Sequence, residues 1–140
     1  MDADRSGPFW DVVAGRSEPP PIAGLLGWRL LHADADNGRV RVEFTAREEF
    51  LNPAGTVQGG MLAAMLDDTM GPALMASAEG SIMAPTVEFK VNFVRPARPG
   101  RLIGTGWVVH RGRSLALLGG ELHDEDGNLI ATATATARLV

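Results

Sequence analysis

Cysteine is absent from the 140 residues, which excludes disulfides, thiolate nucleophiles and cysteine-ligated metals together. Histidine is scarce: His32, His110 and His123 lie far apart and match no metal-ligand spacing, so no metal site is expected. No apolar run approaches the roughly 18 residues that a membrane span needs, and the opening stretch MDADRSGPFW is acidic where a leader would be basic. Positive charge is not in excess either. The formal net charge is -4, which argues against nucleic acid gripped by bulk charge. These absences leave the expectation of a soluble, cytoplasmic protein with no membrane or nucleic-acid partner.

What is present suits one compact core. Hydrophobic residues make up 45% of a chain too short for two full domains. EPPP at 18–21 favours an extended connection, so residues 1–21 read as an N-terminal arm, with a short helix around Pro8 to Ala14 and a Pro-rich linker. Residues 22–140 read as a single domain. Two strand-like runs between Trp28 and Arg47 flank Asn37-Gly38, a dipeptide suited to a tight hairpin turn. In the second run Val40, Val42 and Phe44 alternate with Arg39, Arg41 and Glu43, one face for the core and one for water. Asn52, Pro53 and Gly55 end that pattern, and Val57 to Ala78 reads as the one long helix, with a kink or break expected at Gly71-Pro72.

Beyond Gly80 the period returns to two. Val87, Phe89, Val91 and Phe93 oppose Glu88, Lys90 and Asn92, and further strands fit Arg101–Arg111, Ser114–His123 and Leu129–Leu139. The strict Ala/Thr alternation of ATATATAR (131–138) suits a strand whose small face lets something pack closely. One helix with about six strands predicts an α+β fold, the helix lying across a single antiparallel sheet.

The helix carries two features that packing does not ask for. Gly59 and Gly60 leave backbone N–H groups unshielded at its positive end, a place for a developing negative charge, although glycines there also simply permit the turn. Asp67 and Asp68 then stand side by side where the helix should be buried, and an unpaired buried charge costs several kcal/mol. Gly60, Ala63, Ala64, Met70 and Gly71 form a mostly small-residue stripe around Asp67, open to a ligand or another chain. Asp68 has a plainer reading as a cap, an arginine partner or a helix-edge residue. Gly59 and Asp67 are eight residues apart, about 12 Å along the axis, so one small carbonyl cannot touch both on one helix. The pairing hints at a site shared by two chains across a two-fold axis.

These residues resemble the hotdog-fold acyl-CoA thioesterases of the phenylacetate-degradation (PaaI-like) family. The matching stretches are Asn52, Gly55, Gln58-Gly59-Gly60 and Asp67, then PTVEFKVNFVRPARPG (85–100), VVHRGRSLAL (108–117) and EDGNLIATATAT (125–136), so the resemblance runs from about Gly24 onward. It implies a long central helix wrapped by an antiparallel sheet of five to six strands, paired into dimers with shared sites and commonly into tetramers. It also implies roles: Gly59 N–H polarises the thioester carbonyl, Gln58 and Gly60 line the substrate site, and Asn52 positions the carbonyl or the water. Asp67 of the other subunit is general base or nucleophile, and Thr86 assists it. Gln58 stands where the family usually has histidine. A thiol of pKa about 8.5 leaves without strong acid help, so hydrolysis survives that change. A non-catalytic acyl-CoA binding or sensing domain is the alternative it raises. A hydratase is disfavoured because no histidine stands near the helix entry.

Arg95, Arg98, Arg101, Arg111 and Arg113 fall in a span without Asp or Glu. With the resemblance they are expected to capture coenzyme A phosphates; without it they read as a solvated strand end. Met61, Met65, Met70 and Met75 read as core packing before acyl-tunnel lining. No cofactor is expected, coenzyme A being part of the substrate.

Overall fold

The computed structural model describes residues 4–78 and 82–140. Six strands, β1 (Arg29–Asp34), β2 (Arg39–Ala46), β3 (Thr86–Phe93), β4 (Gly100–Arg111), β5 (Leu115–Asp124) and β6 (Leu129–Arg138), form one antiparallel sheet in the order β1-β2-β4-β5-β6-β3. Consecutive strands pair except around β3: from β2 the chain crosses to the far edge as the long helix α3 (Gly59–Ser77), and after β3, which pairs with β6, it returns to place β4 beside β2. This is the hotdog arrangement that the sequence predicts. Val40, Val42 and Phe44 are fully buried as their alternation requires, and Ala131, Ala133, Ala135 and Ala137 turn inward while the threonines between them face out.

Close approach of helix to sheet needs glycine, most sharply at two places on β4. A Cβ on Gly104 or Gly106 of β4 would overlap Thr69, in the second case its backbone carbonyl. Thr69 is fully buried and spends its hydroxyl on the Met65 carbonyl at 2.7 Å. The helix therefore rests on bare backbone at its midpoint, which fixes the height of Asp67 and Asp68 above the sheet.

Four details differ from the sequence expectation. Asn37-Gly38 is no two-residue turn: Ala35 to Gly38 make a four-residue loop in which only Gly38 has positive φ (60°), while the Asp34 carboxylate accepts hydrogen bonds from Asn37 N–H and Nδ2. That local pairing of Asp34 with Asn37 outcompetes the tighter turn. The third proline of EPPP does not extend the linker but opens a helix, α2 (Pro21–Leu26), at the position where a missing N–H costs nothing. The first helix, α1 (Pro8–Val13), is packed down: Phe9 and Trp10 belong to the core, the Phe9 ring meets Trp10 and Trp28 edge-on, and Trp10 Nε1 donates to the Ala76 carbonyl. Two adjacent aromatics bury enough area to hold a short arm on the C-terminal half of α3.

The fourth concerns Pro72. The helix runs through it without a break. Proline cannot donate to the carbonyl four residues back, here that of Asp68, and the Trp28 indole N–H donates to that oxygen instead at 2.9 Å. A side chain from outside the helix replaces the missing backbone bond.

Candidate functional site

Asp67 lies half-buried on α3, and its Oδ1 accepts a 2.6 Å hydrogen bond from Thr86 Oγ1 at the start of β3. Nineteen residues separate the two in sequence. They meet because the crossover helix carries the chain to the far edge, where β3 begins. One Asp67 oxygen is held by this hydroxyl, which leaves the other to accept from a ligand or water. Both residues face a cleft of about 460 Å³ with Ala64, Gly71, Met75 and Met83 among its walls. Of the small-residue stripe, Ala64 and Gly71 line this cleft, whereas Met70 is buried in the core.

Asp68 does not behave as the sequence suggests. It neither caps the helix nor pairs with an arginine: its Oδ2 is buried with no hydrogen-bond partner among the described residues. Burial, with the neighbouring Asp67 charge as a lesser cause, pushes its carboxyl up to about 7. One helix thus carries a carboxylate supported by a hydroxyl and, next to it, a carboxyl that keeps its proton nearly to neutrality.

At the other end of α3, Gly59 and Gly60 open the helix after Gln58, which is exposed and makes no capping hydrogen bond. The backbone of Met61 and of Leu62 both donate to the Gln58 carbonyl, while the N–H groups of Gly59 and Gly60 have no intrahelical acceptor. Gly59 lines a second cleft, of about 260 Å³, together with Phe93 and Arg95. A Cβ on Gly59 would come within 3.2 Å of the Phe93 ring, so glycine is also what lets that ring lie over the helix entry. One cleft opens at the N-terminus of α3 and the other along its middle and C-terminal half.

Asn52 is committed to the loop that leads into this entry. Its Oδ1 accepts from the N–H groups of Ala54 and Thr56, and its Nδ2 donates to Thr56 Oγ1. The loop is tied down further by Val57 N–H to the Ala97 carbonyl and Gln58 N–H to the Phe50 carbonyl. These bonds of Asn52 shape the backbone that presents Gly59.

The arginines do not form one patch. Arg95 and Arg98 lie in the turn before β4, and Arg101 is at its start, where its guanidinium pairs with Glu43 and, with Arg29, holds that carboxyl below its usual range. Arg111 ends β4 and Arg113 follows it, so they lie about 33 Å from Arg101 along an extended strand. Neighbours in sequence along a strand are not neighbours in space. Arg95 alone of the set reaches the Gly59 cleft; Arg111 lines a separate polar hollow with Arg5, Asp36 and His110. Of the methionines, Met65 and Met70 are core, whereas Met75 is half-buried and lines the Asp67 cleft. Among the described residues no group of His, Asp and Glu could hold a metal ion, and no helix is long and apolar enough to cross a membrane.

Comparison with known proteins bears on the family and the fold. Residues 54–131 match the thioesterase superfamily model. Human acyl-coenzyme A thioesterase 13 is 30% identical over 131 residues, 92% of each chain. A putative thioesterase from Ralstonia eutropha JMP134, described as a phenylacetic acid degradation-related protein, superposes with a TM-score of 0.87 at 39% identity, covering 93% of this chain and 98% of that one. The Escherichia coli PaaI protein shares the fold, with a TM-score of 0.82 at 21% identity over 94% of this chain and 93% of its own. With a family match over more than half its length and relatives aligned almost end to end, the chain belongs to the thioesterase superfamily and is a thioester hydrolase of hotdog fold.

Proposed function

We propose that the protein hydrolyses the thioester of a small or medium acyl- or aryl-acyl-coenzyme A to the free acid and coenzyme A, in sites each built from two subunits of a homodimer or a dimer of dimers. The observation that carries this is the Thr86–Asp67 hydrogen bond in an open cleft, about 12 Å along the helix from the unpaired N–H groups at Gly59. In the reading it supports, the thioester carbonyl lies against Gly59 N–H of one subunit, whose loop Asn52 holds in place. Asp67 of the partner takes a proton from the attacking water. Negative charge grows on the carbonyl oxygen, where a helix N-terminus and an N–H are already oriented to receive it. The tetrahedral intermediate collapses with the C–S bond broken, and the thiolate leaves without a protein acid, which is why Gln58 suffices in place of histidine. Thr86 keeps the Asp67 carboxylate turned toward the water. Arg95, which lines the same cleft as Gly59, is the arginine that meets a coenzyme A phosphate in this reading; Arg98 is its neighbour in the same turn.

Incubating the purified protein with short, medium and aryl acyl-coenzyme A thioesters and a free-thiol reagent tests the reading. Thiol release that depends on Asp67 is expected. Saturable binding without thiol release would replace it with the acyl-coenzyme A binding domain.

A further inference from the structure

Behind the Asp67 cleft lies a second, smaller hollow that the reaction does not use. It has a volume of about 100 Å³, lies beneath α1 and α2, and is walled by Phe9, Val12, Pro20, Ala23 and Trp28. Three further residues, Asp68, Pro72 and Met75, line both this hollow and the Asp67 cleft. They sit at positions i, i+4 and i+7 of α3, one stripe of one helix, so the partition between the two spaces is a single layer of side chains.

The members of that partition differ in how they can move. Pro72 is a buried ring and cannot swing aside. Asp68 has one carboxyl oxygen sealed in. Met75 is half-buried, packs against the edge of the core, and is the unbranched, soft member of the three, with the most rotamer freedom. It stands eight residues beyond Asp67, about 12 Å along the axis, in the direction that leads away from Gly59.

We propose that this hollow is the distal end of the acyl site, that it takes the terminal methylenes of an unbranched alkyl chain, and that Met75 is the gate that admits them. Shape and chemistry both select such a chain. A cavity of roughly 150 Å³ is known to hold benzene; the present one, at about 100 Å³, is smaller and suits a chain end better than a ring. Its walls carry no charge apart from the Asp68 carboxyl, so an acyl chain ending in a carboxylate is rejected. Asp68 is held protonated up to about neutral pH by the same burial, which keeps the lining uncharged. The arm that sequence alone would discard as an appendage thereby becomes the roof of the specificity pocket.

The proposal rests on the acyl-coenzyme A reading above, and its test separates the two. Affinities of non-hydrolysable acyl-coenzyme A thioethers bearing short, medium and long unbranched chains, or a phenyl ring, are measured by calorimetry for the wild type, Met75→Ala and Val12→Trp. Thermal midpoints confirm that each variant is folded, and Ala23→Leu fills the hollow from α2 if Val12→Trp does not fold. Met75→Ala should raise the preference for medium over short chains about tenfold, and filling the hollow should lower it about tenfold, the scale of one methylene in an apolar pocket. The phenyl analogue should not follow these changes. An unchanged chain-length profile in the folded variants overturns the pocket assignment. Length-graded binding by a wild type that releases no thiol overturns hydrolysis and keeps the pocket.

Discussion

At the residue scale the two adjacent aspartates separate by their surroundings. Asp67 has a hydroxyl donor and an open cleft, Asp68 an apolar wall and no donor. Asp67→Asn should lower turnover by a hundredfold or more while leaving the affinity for a thioether analogue largely intact, because an amide accepts the Thr86 hydrogen bond but cannot take a proton. Asp68→Asn should lose at least tenfold less in the same assay; equal losses in folded proteins would refute the assignment. Thr86→Val should lower kcat more than it raises KM, since it frees the carboxylate to turn and removes no substrate contact. Asp68 also makes a prediction about stability. Its ordinary value of 3.8 belongs to the unfolded chain and about 7 to the fold, so the folded state holds the proton more tightly. Its effect on stability is therefore nil below about pH 4, grows increasingly unfavourable as pH rises through the window from 3.8 to about 7, and is constant above. At about 1.4 kcal/mol per unit, the limit is on the order of 4 kcal/mol, reduced by whatever water enters on ionisation. Urea denaturation across pH 4 to 8 should show Asp68→Asn gaining on the wild type as pH rises. A gap that is flat with pH would show that the carboxyl is not buried as described.

At the scale of elements, α3 is held by contacts that compensate for awkward residues. Pro72 removes a backbone hydrogen bond from the middle of the helix, and Trp28 restores a donor to the Asp68 carbonyl. Trp28→Phe keeps most of the ring and loses only that donor, so it should cost about 1–3 kcal/mol by chemical denaturation, the penalty for leaving a buried carbonyl unpaired. Combining it with Pro72→Ala, which returns the backbone N–H, should recover part of that loss. If the double variant is no more stable than Trp28→Phe alone, the compensation is not what holds the helix. Gly106 is the matching case on the sheet. A methyl group there would strike the Thr69 backbone carbonyl, which cannot move aside as a side-chain end could.

At the scale of the whole molecule, one cleft lies at the start of α3 and the other along its middle and second half, and the proposed chemistry needs both. Edge strand β3 leaves Val87 and Phe93 each 55% exposed, apolar surface beside the Asp67 and Gly59 ends where a second copy would lie. If each site takes Gly59 from one chain and Asp67 from the other, inactive variants should complement. Asn52→Ala, which unties the loop presenting Gly59, and Asp67→Asn would be unfolded and refolded together in equal amounts. Random pairing makes roughly half the dimers mixed, each with one intact site, so activity should return to roughly a quarter of wild type. No recovery, with chain exchange shown by differently tagged subunits, would rule out the shared site.

The sequence by itself determined whatever depends on neighbours along the chain. The two-residue period of Val40 to Phe44 and of the Ala/Thr run, the single long helix and its 12 Å separation of Gly59 from Asp67 are consequences of local geometry, and so were legible. The tertiary structure decided what depends on strand order and packing. Thr86 reaches Asp67 only because β3 lies at the far edge after the crossover. The five arginines part because a strand carries its residues away at about 3.3 Å each. Asp68 becomes a carboxyl with one oxygen sealed in and a raised pKa, and residues 8–26 a roof over a cavity, only when Phe9, Ala23 and Trp28 close over α3. No period or spacing encodes that closure, because burial belongs to the surfaces that meet and not to the residues taken in order.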